Sequence, residues 1–182
     1  AARGVQRGAG GAGRVRGGGQ GGRGGRPERA PVFRADLAWL GVELGEVPAQ
    51  STRLASYASA AATLRGMGVL YPCICTRAEI AAAATASCPE GPLYPGTCRN
   101  GIGRGHKARA FRVNTENSPI EFDDRRQGRM VQNLEAEVGE FVLLRADGLF
   151  AYQLAVVVDD DDQQVADGVR GAELPDSTGR KS

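Results

Sequence analysis

The sharpest constraint on what this chain can fold into is a change of composition at residue 32. Residues 1–32 are mostly glycine, arginine and alanine, as in the run GVQRGAGGAGRVRGGGQGGRGGRPERA, with no apolar periodicity. Such a segment cannot bury enough apolar area to offset the ordering entropy of its glycines, so a disordered arm is expected there. The core must then come from residues 33–182, enough for one ordinary domain. Aromatic residues are only 5% of the chain, so that core has few large side chains to fill it. The arm also carries the charge asymmetry. Seven Arg against one Glu give it about +6, so the +2 of the whole chain leaves about −4 for the rest. The sequence pI of 8.5 is therefore no argument for a nucleic-acid partner. No run approaches the ~20 apolar residues that span a bilayer. No basic-then-apolar signal opens the chain. The expectation is a soluble, cytoplasmic protein with no membrane partner.

From Phe33 onward the pattern becomes that of a folded chain. Phe33, Leu37 and Leu40 share helical spacing, with Gly41 as a stop. Ser51 is placed to cap a helix whose apolar stripe is Leu54, Tyr57, Ala58, Ala61 and Leu64, ending near Gly66–Gly68. A short strand, YPCIC, leads to Thr76-x-x-Glu79, a capping box before an alanine-rich helix that ends before Pro89. Residues 86–107 read as loop. Strands are expected at Ala108–Val113 and Ile120–Asp123. The run FVLLRADGLFAYQLAVVVDD reads as two strands joined by an Asp147-Gly148 turn. The second of these, Leu154–Val158, is continuously apolar, which suits a strand covered on both faces in a parallel sheet.

All four cysteines, Cys73, Cys75, Cys88 and Cys98, fall in one short window. In a reducing compartment such a cluster is more often a metal site than a disulfide pair. Zinc asks for four soft or borderline donors in a tetrahedron. Two thiols two residues apart, Cys73 and Cys75, can point to one side, and a loop can return Tyr94 and Cys98. Cys88 and the lone His106 stand as rival fourth donors, and four incidental thiols remain the bland alternative. Gly8–Gly13 spells GxGxxG without the preceding strand and following helix that a phosphate cradle needs. The GGRGGR stretch could contact RNA phosphates but has no aromatics interleaved for base stacking. Asp159–Asp162 reads as a solvated acidic turn.

Four segments in matching order carry a resemblance. QSTRLASYASAAATLRGMGVLYPCICTRAEI, GPLYPGTCR, EVGEFVLLRADGLFAYQLAVVVDD and VRGAELPDST resemble glutamyl-queuosine tRNA(Asp) synthetases from about Phe33 to Arg180. FAYQLAVVVDD and YPCICTRAEI are the most specific of them. The resemblance implies an α/β fold: part of a class I synthetase Rossmann domain with an inserted zinc-bearing α+β subdomain, after the Gly/Arg-rich arm. It divides the chain into the arm (1–32), a helical remainder of the first catalytic half (33–70), a zinc-bearing acceptor-stem-type insert (71–148) and the start of the second catalytic half (149–182). It implies ATP-dependent activation of glutamate and its transfer to queuosine in the tRNA(Asp) anticodon, by a monomer. It places zinc on Cys73, Cys75, Tyr94 and Cys98, and glutamate on Tyr152 and Arg170. A guanidinium can pair with a substrate carboxylate and a phenol can supply a fixed hydrogen bond.

The departures are equally specific. The HIGH-type ATP motif belongs where the arm stands, and the KMSKS-type loop belongs beyond Ser182. The expectation is that these 182 residues alone form no glutamyl-adenylate. Arginine, glycine and alanine share GC-rich codons, so the arm can also be read as an out-of-frame translation. The alternatives are a fragment of an ordinary glutamyl-tRNA synthetase and a non-enzymatic RNA-binding protein acting through the arm.

Overall fold

The computed structural model describes residues 4–8, 13–16, 29–41, 48–88, 91–115 and 119–169. The arm is not wholly without structure. Strands β1 (Gly4–Gly8) and β2 (Gly13–Arg16) pair antiparallel with each other. Helix α1 (Arg29–Trp39) follows and starts inside the arm. Its stop is as the spacing predicts, with Gly41 at φ +74° closing on the Ala38 carbonyl.

A 3₁₀ turn over Gln50–Thr52 takes the place expected for a Ser51 cap, and Arg53 precedes helix α2 (Leu54–Gly66). The alanine-rich sequence supplies the propensity for α2, and tertiary packing supplies most of its stability. It ends where expected. Gly68 adopts φ +75°, and the N–H groups of Gly68 and Val69 bond back to Arg65 and Leu64, the two bonds of a Schellman cap. Strand β3 (Leu70–Cys73) comes next. Helix α3 (Arg77–Ala83) then carries both halves of the predicted capping box. Thr76 Oγ1 accepts from Glu79 N–H at 3.2 Å, and the Glu79 carboxylate accepts from Thr76 N–H at 2.6 Å.

Two-residue strands β4 (Ser87–Cys88) and β5 (Gly91–Pro92) make a small hairpin within the expected loop. Strand β6 (Ala110–Val113) is shorter than predicted. The predicted strand near Ile120 is β7 (Pro119–Asp124), and it has a partner the sequence reading missed, β8 (Gly128–Asn133). Asp124 Oδ1 closes their turn by accepting from Arg126 and Gln127 N–H, each at 2.8 Å. The short helix α4 (Leu134–Glu137), capped by Asn133, was also unforeseen. Strand β9 (Val142–Leu144) leads into the predicted Asp147-Gly148 turn, and Phe150 returns to bridge Leu144.

The expectation of a strand over Leu154–Val158 is overturned: these residues lie inside helix α5 (Tyr152–Asp162). Each β-branched valine costs a helix up to about 0.7 kcal/mol relative to alanine. Burying a valine or leucine returns about 1.5–3 kcal/mol, so packing decides. Leu154, Ala155 and Val156 are all buried, and the continuous apolar run reflects a helix enclosed over most of its circumference. Strand β10 (Val165–Val169) follows and pairs with β1, giving a sheet in the order β10-β1-β2. Every strand pairing among the described residues is antiparallel, so the parallel sheet expected around Leu154–Val158 is not found among them.

The element that positions the site is the sheet β3-β6-β9. Side chains alternate across a strand, and here the alternation separates two cores. Leu70 of β3, Phe111 and Val113 of β6 and Leu143 of β9 pack with Tyr57 and Ala61 of α2 and Leu154 and Ala155 of α5. Tyr71 and Cys73 of β3 belong to the other core, with Ile80 of α3, Tyr94 and Cys98. Pro72 lies in β3, at the edge of that sheet.

Candidate metal centre

Cys73 is the last residue of β3, and its carbonyl accepts the Arg109 N–H at 3.0 Å. Cys75 lies two residues on, just before the Thr76 cap. The capping box fixes the direction in which the chain leaves, and buried Ile80 of α3 seats that helix against the cysteines. The β4–β5 hairpin then turns the chain back, with Leu93 N–H bonding Ala86 O at 3.0 Å, and delivers Tyr94 to the same place. A turn over Gly96–Arg99 brings Cys98 beside it.

The result is a compact donor set. The sulfurs of Cys73, Cys75 and Cys98 all lie within 4.8 Å of one another, with Cys75 and Cys98 at 3.6 Å. Tyr94 Oη is 3.5 Å from Cys73 Sγ and 3.6 Å from Cys75 Sγ, and it accepts the Cys98 N–H at 2.9 Å. Cys73, Tyr94 and Cys98 are buried, and Cys75 is half-buried. All four cysteines are unpaired thiols. The structure thus brings together Cys73, Cys75, Tyr94 and Cys98. The rival donors stand outside: Cys88 lies half-buried in β4 and His106 is exposed, and neither joins the one such group found among the described residues.

The electrostatics distinguish the four. Burial pushes the Cys75 thiol above its ordinary value, with the neighbouring thiols adding to it. Burial also opposes ionisation of Cys98. Hydrogen bonds from Tyr94, the Ile74 backbone and the other two thiols outweigh it, and its pKa falls below the ordinary value. Burial and the three thiols push the Tyr94 phenol far above the usual tyrosine range, so without a cation it stays neutral. A bound cation reverses that logic, because it is then the largest local charge. Three thiols and a phenol in one buried cluster could hold a metal ion.

Behind the donors lies a network that the sequence reading missed. The Glu140 carboxylate, 1% exposed, accepts from Arg99 Nε at 2.7 Å and from the Tyr71 hydroxyl. Arg112 donates to the Glu140 carbonyl at 2.7 Å, and its guanidinium lies 4.0 Å from the centroid of the Tyr94 ring. No local motif announces Glu140; its partners lie far away in sequence. The acidic run at 159–162 also differs from expectation. Asp159 is buried and accepts from Gln50 Nε2 at 3.1 Å, Arg53 Nε at 2.7 Å and the Tyr57 hydroxyl at 2.9 Å, so it is a structural junction between α5 and α2. Tyr152 is half-buried as the first residue of α5, and Arg170 lies outside the described residues.

Known proteins resemble the chain over most of its length. The family described as tRNA synthetases class I (E and Q), catalytic domain, matches residues 26–181. A protein of Dechloromonas aromatica named glutamyl-Q tRNA(Asp) synthetase is 53% identical over 138 residues, covering 75% of this chain and 46% of its own length. Those of the same name from Aromatoleum aromaticum and Burkholderia cenocepacia are 49% and 48% identical over 85% of this chain, covering 49% and 54% of theirs. The chain spans about half the length of these relatives. Among solved structures, a glutamate tRNA ligase of Elizabethkingia meningosepticum aligns with TM-score 0.63 at 16% identity, over 80% of this chain and 34% of that one. A glutamate-tRNA synthetase of Elizabethkingia anophelis aligns with TM-score 0.62 at 17% identity. At that identity the likeness is one of fold. Among the described residues no helix is long and apolar enough to cross a membrane.

Proposed function

The chain belongs to the catalytic-domain family of class I tRNA synthetases for E and Q, and on that premise we propose that it is part of a glutamyl-Q tRNA(Asp) synthetase. The observation that carries the proposal is identity near 50% with relatives that share this one name. The activity is ATP-dependent activation of glutamate and its transfer to queuosine in tRNA(Asp). The enzyme works as a cytoplasmic monomer. Residues 71–148 are the insert, and residues 149–182 start the second catalytic half.

The donor set suits zinc. With Zn–S near 2.3 Å and Zn–O near 2.0–2.1 Å, a tetrahedron has S···S edges of about 3.8 Å and S···O edges of about 3.6 Å. The corresponding separations here are 3.6 Å between the sulfurs of Cys75 and Cys98, and 3.5 and 3.6 Å from Tyr94 Oη to the sulfurs of Cys73 and Cys75. Cys73, Cys75, Tyr94 and Cys98 would fill all four positions, which makes the zinc structural. It would clamp the 94–98 turn to the end of β3. Tyr152 and Arg170 are the proposed contacts to glutamate, by a phenol hydrogen bond and a guanidinium–carboxylate pair.

The test supplies the product of the whole gene with labelled glutamate, ATP and tRNA(Asp), with and without queuosine. Label released by nuclease digestion on a queuosine nucleoside, and absent from queuosine-free tRNA, is the expected result. Label on the 3′-terminal adenosine of tRNA(Glu) would instead identify an ordinary glutamyl-tRNA synthetase.

A further inference from the structure

The loop over residues 99–109, RNGIGRGHKAR, has four cationic side chains and no acid. Both of its ends are tied to the metal centre. Its first residue follows Cys98, and at its last the Arg109 N–H bonds the carbonyl of Cys73 at 3.0 Å. It has a third anchor between them, since Ile102 is half-buried against the core that contains the cysteines. A tight turn, with His106 N–H bonding Gly103 O at 3.2 Å, lies beyond that anchor. Arg99, itself exposed, is committed to the carboxylates of Glu140 and Glu135. The other charged residues of the loop, Arg104, Lys107 and Arg109, are exposed, as is His106. Arg109 also acts weakly on Glu79, whose carboxyl is held below its ordinary pKa chiefly by its hydrogen bonds to Thr76.

Three exposed cations on an acid-free loop pinned at three points form a pre-ordered binding surface for a row of anions. A segment that must order itself pays entropy when it binds; a loop already fixed does not. We propose that Arg104, Lys107 and Arg109 contact the phosphate backbone of RNA, and that the metal centre holds the loop in the form that does so. The inference rests on the proposed tRNA substrate and adds the surface that grips it. Each phosphate contact releases a counterion and adds about 0.7–0.9 to the slope of log K against log salt.

The experiment measures binding of the intact 182-residue chain to a tRNA(Asp) transcript by fluorescence anisotropy across a salt series. The arm contributes equally to every variant, so differences in slope report the loop. The triple variant R104Q/K107Q/R109Q should lower the slope by about two with zinc content unchanged, and the charge-conserving R104K/K107R/R109K should keep it. Stripping zinc should lower the slope of the original chain, re-adding zinc should restore it, and the triple variant should respond to neither. An unchanged slope in the triple variant would overturn the proposal and leave RNA binding to the arm. A triple variant whose slope falls with zinc loss as much as the original's would overturn the link to the metal centre. The transcript carries no queuosine and no glutamate is transferred, so failure of the proposed activity would leave this result standing, and the reverse also holds.

Discussion

Tyr94 departs most from an ordinary cysteine site. As a lone phenol it is a poor metal ligand, since its ordinary pKa is 10.0 and burial raises it. Its surroundings compensate. The Cys98 N–H already donates to the oxygen, and the Arg112 guanidinium covers the ring. Both arrangements favour negative charge on the phenol oxygen once a cation is bound. Tyr94→Phe keeps the ring and the Arg112 contact but removes the donor. Its zinc affinity, followed by competition with a chromogenic chelator, should fall at least about tenfold, the lower end of what loss of a mere outer-shell partner costs. Elemental analysis should find about one zinc in the original chain and none in Cys73→Ser. Unchanged zinc in both variants would remove these residues from the metal.

Two elements show where sequence patterns succeed and where they fail. The capping box at Thr76 and the stop at Gly68 are local, each decided by atoms within a few residues, and both were legible. The helix α5 was not. A run such as LAVVV has no period with which to tell a buried strand from a buried helix. The deciding facts are remote: α2 lies alongside, and Gln50, Arg53 and Tyr57 wait for Asp159 across more than a hundred residues of chain. A strand would place Asp159 elsewhere and leave those three donors without it. Asp159→Ala should therefore cost about 2–4 kcal/mol in urea unfolding, because it leaves the Gln50 amide and the Tyr57 hydroxyl without this acceptor, while Arg53 keeps Asp162. A loss under ~1 kcal/mol would mean that the network does not fix α5 to α2. The candidate donor cluster was legible in part for the same reason. Cys73-x-Cys75 announces itself, whereas choosing Tyr94 over Cys88 depends on how the β4–β5 hairpin turns the chain.

At the scale of the molecule, the sheet β3-β6-β9 has a helical core on one face and the cysteine–tyrosine cluster on the other. The two faces share strands but few side chains, so they should lose protection separately. On chelation, amides of residues 94–109 should exchange faster, with little change in α2 and α5. Hydrogen exchange read by mass spectrometry checks this; uniform deprotection of both faces would show one cooperative unit. The arm is the least legible part. Its composition argues for disorder, yet β1 pairs with both β2 and β10, because backbone hydrogen bonds need no apolar side chain. Such pairing cannot be read from composition.

Pro72 gives the same sheet a further property. Asn114 N–H bonds the Val69 carbonyl, which sets the phase of the ladder so that residues 69, 71 and 73 bond β6 and residue 72 turns its backbone outward. At that outward position proline has no N–H to offer. On the opposite side, the backbone of β9 is occupied by its own chain, with Arg145 N–H bonding Leu149 O and Ala151 N–H bonding Leu143 O. One border lacks a donor at Pro72 and the other is already taken, so the sheet gives a neighbouring molecule a poorer template on which to grow. Pro72 thus weakens the open edge as a template only one residue away from Cys73 and its donor cluster.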